Sequence, residues 1–287
     1  MRKILIIGIL IGMLFSCKQE PRNTFSFFVA GHTYGTPLAT NPGLHPPFLK
    51  MFGFINDKPE IEFGIFTGDI VRESNEASWD SVKMQLKKLD RKVYFCPGNH
   101  DVKNRKIYEA RFGDTYYSFT HKNNLFIILD GSLNRWNIQG PQLDFLRTGL
   151  EHAGDSIKNI FVFVHQLIWW DKANIFSQVN LNWPPYTPDT TNYWDEVEPM
   201  LQDHPCPVYI FAGDIGANRQ ADPIMYYPDR NITYVASGMG NIENDNFIIV
   251  RLTENNEVEI RLIALGPDHS KLGAIENYQL PKIRPLE

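Results

Sequence analysis

An α/β fold with a largely parallel sheet is predicted by three features of this 287-residue sequence. Its strand candidates are continuous apolar runs rather than alternating ones, the pattern of strands buried on both faces. These runs alternate with segments whose apolar residues recur at helical spacing. Nearly every side chain able to bind a metal or move a proton stands just after the carboxyl end of a strand candidate, the edge where open α/β sheets take their ligands.

The chain begins Met1-Arg2-Lys3, followed by an apolar run from Ile4 to Phe15 and then Ser16-Cys17. A basic start, a short apolar stretch and a small residue before the cut make a secretory signal, too short to span a bilayer comfortably. Leu14-Phe15-Ser16-Cys17 resembles a bacterial lipobox, which implies a lipid on Cys17. Residues 1–16 are therefore expected to be the signal, 17–24 a polar tether and 25–287 the folded domain. This predicts a lipoprotein of the bacterial envelope, facing the periplasm or the cell surface and joined to the membrane by its lipid anchor.

Phe25–Ala30 is the first strand candidate and runs into Gly31-His32. Ile61–Thr67 runs into Gly68-Asp69, and Lys92–Cys96 into Pro97-Gly98-Asn99-His100-Asp101. Between the last two, Trp79, Val82, Leu86 and Leu89 give a helix over 76–89. Residues 125–129 form a strand ending at Asp130-Gly131, and 142–150 a helix behind Gly140-Pro141. Residues 160–164 end at His165, and Val208–Ala212 at Gly213-Asp214. Strands at 233–236 and 247–252 follow, and Val258–Ala264 returns as a hairpin across Glu254-Asn255-Asn256. The stretch 169–194 carries Trp169, Trp170, Trp183, Tyr186 and Trp194 with little periodicity. It is expected to be a structured loop with a small core of its own, or a stacking surface for a flat ligand.

Order and spacing of these strand-end blocks are similar to those of the calcineurin-like metallophosphoesterases. That family carries Asp-x-His, Gly-Asp, Gly-Asn-His-Asp/Glu, a lone His and Gly-His-x-His. Here stand Gly68-Asp69, Gly98-Asn99-His100-Asp101 and His165. Tyr116-Tyr117-Ser118-Phe119 and Gly140-Pro141-Gln142-Leu143-Asp144 also look like the family. The resemblance covers roughly residues 25–265. It implies a double β-sheet sandwich flanked by helices, with the metal site at the strand carboxyl ends. In such sites two cations about 3.5–4 Å apart bind the phosphoryl oxygens and generate hydroxide near neutral pH. Carried over, Asp69 bridges the cations, Asn99 and His165 bind the second, and His32 binds the first. His100 is the general acid, and Asp101 orients His100 or the neighbouring backbone.

The departures matter equally. Ala30 stands where the first block has Asp, Asp214 where the last block has its first His, and Gly216 where it has its second. Gln166 replaces a His often found after the lone one. A carboxylate in place of imidazole favours harder ions. The resemblance thus implies a divalent metal (Mn, Fe, Zn or Mg), held more firmly at one site than at two. His45, His121, His152 and His204 lie outside the pattern and are expected in surface or local packing roles, the alternative for His45 being to compensate for the missing first-metal ligands.

The expected function is hydrolysis of a phosphomonoester or diester of a nucleotide, sugar or envelope glycan. The rivals are a non-catalytic ligand-binding protein on a degenerate scaffold and a related but different hydrolytic reaction. A nucleic-acid partner is not expected. The formal charge is −5, falls to −7 when Arg2 and Lys3 leave with residues 1–16, and no dense basic run exists. Cys96 and Cys206 are expected as two buried thiols rather than a disulfide. If Cys17 carries the lipid, the chain fractionates with membranes and a Cys17→Ser variant does not. Equal soluble amounts of both forms would refute the anchor.

Overall fold

The computed structural model describes residues 24–183 and 191–281. The expected signal and Cys17 therefore lie outside the described residues, as does Tyr186. The strands in chain order are β1 (Phe25–Ala30), β2 (Ile61–Thr67), β3 (Lys92–Cys96), β4 (Tyr117–His121), β5 (Asn124–Ile128), β6 (Asn159–Phe163), β7 (Val208–Ala212), β8 (Ile224–Asp229), β9 (Ile232–Ser237), β10 (Asn246–Leu252) and β11 (Val258–Ala264). They form two sheets, ordered β11-β10-β1-β2-β3 and β4-β5-β6-β7-β9-β8. The parallel strands are those expected from the apolar runs: β1, β2 and β3, the last at an edge, in one sheet and β5, β6, β7 and β9 in the other. Antiparallel strands join at the edges: β10 and β11 on the first sheet, β4 and β8 on the second.

The continuous apolar runs are explained by this double layer. One face of each sheet meets the other sheet, and the opposite face meets helices or loops. Between the sheets Phe27 stacks on Phe63 with ring centroids 5.4 Å apart and meets Phe126 edge-on at 5.3 Å. Phe161, Phe163, Phe211 and Val235 complete that layer. Each fully buried Phe contributes about 1.5–3 kcal/mol relative to exposure. On the outer side of the first sheet, Phe28 and Phe66 pack with residues of α1 (Pro46–Lys50), α2 (Phe52–Asn56), α3 (Glu76–Leu86) and α4 (Arg105–Phe112), among them Phe48, Trp79 and Tyr108. On the outer side of the second sheet, Ile127, Val162 and Ile210 pack with Leu146 and Leu150 of α5 (Pro141–Glu151) and with Val197 and Leu201 around α6 (Glu198–Gln202).

The α3 helix begins where Asn75 Oδ1 accepts the Ser78 N–H, an ordinary N-cap. It stops at Leu86, three residues before the expected end. Lys88 and Leu89 instead bond to Gln85 and Leu86, a tightening of the last turn that still buries Leu89. The β10–β11 hairpin has the expected register, Leu252 opposite Val258, with Asn256 taking φ 61° at the turn.

The aromatic stretch after β6 is mainly a local core. Trp169 is fully buried among Phe176, Tyr193 and Tyr234, and Trp194 stacks on Phe176 at 6.0 Å, while Trp183 is exposed. Cys96 and Cys206 are both free, and their thiols donate to the Leu129 and Ile157 carbonyls respectively. Among the described residues no helix is long and apolar enough to cross a membrane.

Candidate active site

The carboxyl ends of the two sheets meet, and most of the strand-end residues meet there with them. Asp69, one residue past the turn that ends β2, is the hub. Its Oδ1 accepts the His100 backbone N–H at 3.1 Å and lies 3.3 Å from His165 Nε2. Its Oδ2 lies 3.4 Å from His32 Nε2. His165 Nε2 is also 3.9 Å from Asp214 Oδ1, so both sheets supply carboxylate and imidazole to one spot. The backbone is tied across the same place. The His32 N–H donates to the Gly68 carbonyl, and the N–H groups of Gly213 and Asp214 both donate to the His165 carbonyl. His32 and Asp69 both sit in the left-handed region, at φ 53° and 51°. Such strain costs about 1–3 kcal/mol per residue and concentrates at functional sites.

Several buried polar atoms here lack a hydrogen-bond partner among the described residues. They include His32 Nδ1, Thr33 Oγ1, Thr67 Oγ1 and His165 Nε2. Such atoms call for a ligand, water or ion. His165 Nε2 is the most informative. The ring's Nδ1 is 2.8 Å from the Thr67 carbonyl and so carries the proton that donates to it. The remaining nitrogen then faces two carboxylate oxygens with its lone pair. That arrangement requires positive charge, either a second proton on the ring or a cation among the three donors. Burial alone would lower the His165 pKa, but the Asp69 and Asp214 charges outweigh it and push it up to about 10. For His32 burial wins over Asp69 and Asp214, and its pKa is lowered. Burial would raise Asp69, but His165 and His32 hold it below the usual carboxylate range. Among the described residues no group of three or more His, Cys, Asp or Glu side chains is placed to hold a metal ion as it stands. The donor types, the orphaned imidazole nitrogen and the opposed carboxylates nonetheless fit a divalent ion.

The remaining expected residues divide clearly. Asn99 lies half-buried in the turn between His100 and Gly98, and it is Gly98 that packs directly on Asp69. His100 is half-buried, and its Nδ1 donates to the Arg72 carbonyl at 2.7 Å, which leaves Nε2 for an incoming ligand. Asp101 serves the backbone rather than His100. Its Oδ1 accepts the Ile70 and Val71 N–H groups and its Oδ2 the Gly98 N–H, pinning the Asp69 turn to the Asn99 turn. Burial and the Asp69 charge raise its pKa to about 7. Gln166 is buried and donates to Ser132 Oγ at 2.8 Å. His45 Nε2 is taken by Asp245 at 2.8 Å, so that nitrogen does not make up for the missing first-metal ligands.

Two contributors escaped the sequence reading. Asn182 donates to Asp214 Oδ1 at 3.0 Å and accepts the Ala217 N–H at 2.7 Å, so the stretch after β6 holds the carboxylate that replaced a family His. Tyr34 lies with its ring centroid 4.4 Å from His32 and 5.2 Å from His100. Burial, then Asp69 and Asp214, drive its phenol pKa far up, so the O–H stays protonated. Neither residue belongs to a strand-end block. Only the Asn182-Trp183 and Thr33-Tyr34-Gly35 context hinted at them.

The family model for calcineurin-like phosphoesterases matches residues 32–238. A Coxiella burnetii protein named as a probable cyclic nucleotide phosphodiesterase is 26% identical over 138 residues, 46% of this chain and 55% of that one. The chain thus spans just over half the length of this curated relative. Among solved structures, a purple acid phosphatase from yellow lupin (Lupinus luteus) seeds aligns with TM-score 0.61 at 13% identity, over 84% of this chain and 52% of that one. A dimetal phosphatase from Danio rerio aligns with TM-score 0.59 at 13% identity, over 84% of this chain and 99% of that one. Both likenesses concern the fold.

The last block offers a test of why the family's ligand is absent. Gly216 sits at φ 73°, and a Cβ there would lie 2.8 Å from the Gly238 carbonyl oxygen. Gly216→His is therefore expected to destabilise the chain by about 1–3 kcal/mol or more in chemical denaturation, without raising the number of metal ions bound. A stable variant binding an additional ion would show that the turn tolerates the family residue.

Proposed function

Because the chain belongs to the calcineurin-like phosphoesterase family, we propose that it is a metal-dependent hydrolase of a phosphomonoester or diester of a nucleotide, a sugar or an envelope glycan. The observation that carries this reading is the buried His165 Nε2, aimed at Asp69 and Asp214 with no partner. Members of the family typically depend on divalent metal, and one solved structure of like fold is a dimetal phosphatase. The relative named as a phosphodiesterase supports inclusion of diesters.

In this reading Asp69, Asn99, His165 and Asp214 hold a divalent ion, and His32 faces the other oxygen of Asp69. When bound, the ion supplies charge for the phosphoryl oxygens and lowers the pKa of water. His100 delivers a proton from Nε2 to the leaving oxygen, and its bond to the Arg72 carbonyl keeps the ring in the orientation and tautomer this requires. Asp101 is a positioning residue that fixes the two turns from below. Ala30 has no donor for a cation on the His32 side, so that side holds an ion only weakly. The protein acts at the bacterial envelope, tethered through Cys17.

A non-catalytic binding protein on the same scaffold is the second reading, favoured by Ala30 and Gly216. Turnover of aryl phosphate mono- and diesters, measured with metal content, separates the two. The hydrolase reading expects one tightly retained ion per chain, turnover that stops on chelation and returns with Mn²⁺ or Zn²⁺, and loss of that ion in Asp214→Ala. Metal-free protein with no turnover under any of these ions defeats it. Two tightly retained ions defeat the one-site arrangement.

His100 gives a finer check. His100→Ala is expected to reduce turnover by about 100- to 10,000-fold for esters with poor leaving groups, and far less for activated aryl esters. A loss independent of leaving-group pKa would make His100 a binding or structural residue.

A further inference from the structure

We propose that Tyr34 is a substrate-contacting residue, whose phenol O–H donates a hydrogen bond to a non-bridging oxygen of the bound phosphoryl group. The inference rests on the phosphoesterase reading and adds to it a donor outside every strand-end block.

The first support is an unpaired hydroxyl. A buried tyrosine normally finds a partner for its O–H. The other buried tyrosines among the described residues do so. Tyr108 reaches the Phe95 carbonyl at 3.5 Å, and Tyr193 pairs with Tyr234 at 3.1 Å; the half-buried Tyr117 also donates to the Phe95 carbonyl, at 3.0 Å. Tyr34 is 2% exposed, yet its hydroxyl has no hydrogen-bond partner among the described residues. Nor is that oxygen among the unpartnered atoms sealed from solvent. The ring is thus buried while its polar tip stays reachable, an arrangement that phenylalanine would satisfy equally well if packing were the only purpose.

The second support is rigidity. The Tyr34 N–H donates to the Asp69 carbonyl at 3.0 Å, and the ring lies between those of His32 and His100. Behind it, Gly35 at φ 87° packs directly on His45, where any Cβ would come within 2.3 Å of Nδ1. His45 donates its N–H to the Thr33 carbonyl at 2.7 Å and is bonded to Asp245. Asp245 in turn accepts the Gly240 and Ile242 N–H groups through its other oxygen. The buried His45–Asp245 pair therefore clamps the turn that carries Tyr34 against the loop after β9. A donor held in this way needs little reorganisation when charge builds on a phosphoryl oxygen.

The third support is placement. Tyr34 touches His32, on the side where Ala30 leaves the cation site short of a carboxylate, and it also touches His100, which faces the leaving oxygen. In the proposed reading, a phosphoryl group bound in the cleft between these two imidazoles would bring its free oxygens beside the Tyr34 ring. A neutral donor suits a cleft already crowded with the Asp69 and Asp214 carboxylates.

The test is Tyr34→Phe in the full chain, which keeps the ring and removes only the hydroxyl. kcat and KM for p-nitrophenyl phosphate and bis(p-nitrophenyl) phosphate would be measured on metal-loaded protein. Inorganic phosphate affinity, metal content and melting midpoint would be measured beside them. The expected result is a fall of about 10- to 100-fold in kcat/KM and weaker phosphate binding, with metal content and midpoint unchanged. Unchanged kcat/KM and phosphate affinity would overturn the inference alone. So would a loss that tracks a lowered midpoint or lost metal, since the ring would then be a packing element. Wild-type protein that neither turns over these esters nor binds phosphate would overturn the phosphoesterase reading, and this inference with it.

Discussion

The carboxylate of Asp69 is buried between two imidazoles, and the strand ends of both sheets are arranged around that charge. An isolated carboxylate in such a place would cost several kcal/mol. Here it takes one backbone N–H from His100 and stands within 3.3–3.4 Å of nitrogens from His165 and His32. The cost of burial is offset only if all three elements end at the same point. That requirement explains the tight turns after β1 and β2, with His32 and Asp69 in left-handed backbone, and the Asp101 carboxylate that pins two turns from beneath. It also explains why the site joins the two sheets instead of lying over one. His165 and Asp214 belong to the second sheet, while Asp69 and His100 belong to the first.

Much of this was legible in the sequence because each strand-end residue follows a continuous apolar run. Such a run fixes the strand, the strand fixes its carboxyl end, and a parallel sheet places those ends on one edge. The nine runs from β1 to β11 that the sequence pattern identified are all strands. The two edge strands that it missed, β4 and β8, have half-exposed patterns and contain Thr120, Pro228 and Asp229, which weaken an apolar signal. The separation into two sheets was not contained in periodicity at all. It came from the resemblance, since a strand covered by another sheet and one covered by helices look alike in sequence.

Within the site, the side chains that chemistry selects were legible and those that geometry selects were not. Asp69, His165 and Asp214 announce themselves by type and position. Tyr34 and Asn182 are ordinary residues in loops, and they matter only because the chain folds back there. Asn182 reaches Asp214 across 32 positions of sequence, and Tyr34 reaches His100 across 66. Asp101 shows the converse. Its motif suggests a partner for the His100 ring or the neighbouring backbone, and three backbone N–H groups claim its oxygens, because hydrogen bonds to a buried carboxylate outweigh a contact with a half-exposed imidazole.

The departures from the family pattern form a connected set rather than scattered losses. Gly216 is at φ 73°, and a Cβ there would meet the Gly238 carbonyl, so this turn has no room for a side chain. The same turn brings the Ala217 N–H to Asn182, and Asn182 brings its amide to Asp214. A carboxylate held by an amide thus stands where the family has an imidazole, and the aromatic stretch after β6 carries the residue that holds it. Carboxylate oxygen in place of nitrogen shifts the preference of such a centre toward harder ions. The added negative charge must also be balanced, and Asp214 meets His165 at 3.9 Å, the same imidazole that faces Asp69. Two carboxylates on one buried nitrogen concentrate the demand for a cation on the His165 side of Asp69, while Ala30 removes it from the His32 side. The asymmetry is one of charge: Asp69 and Asp214 both face His165, while on the His32 side no carboxylate stands beyond Asp69.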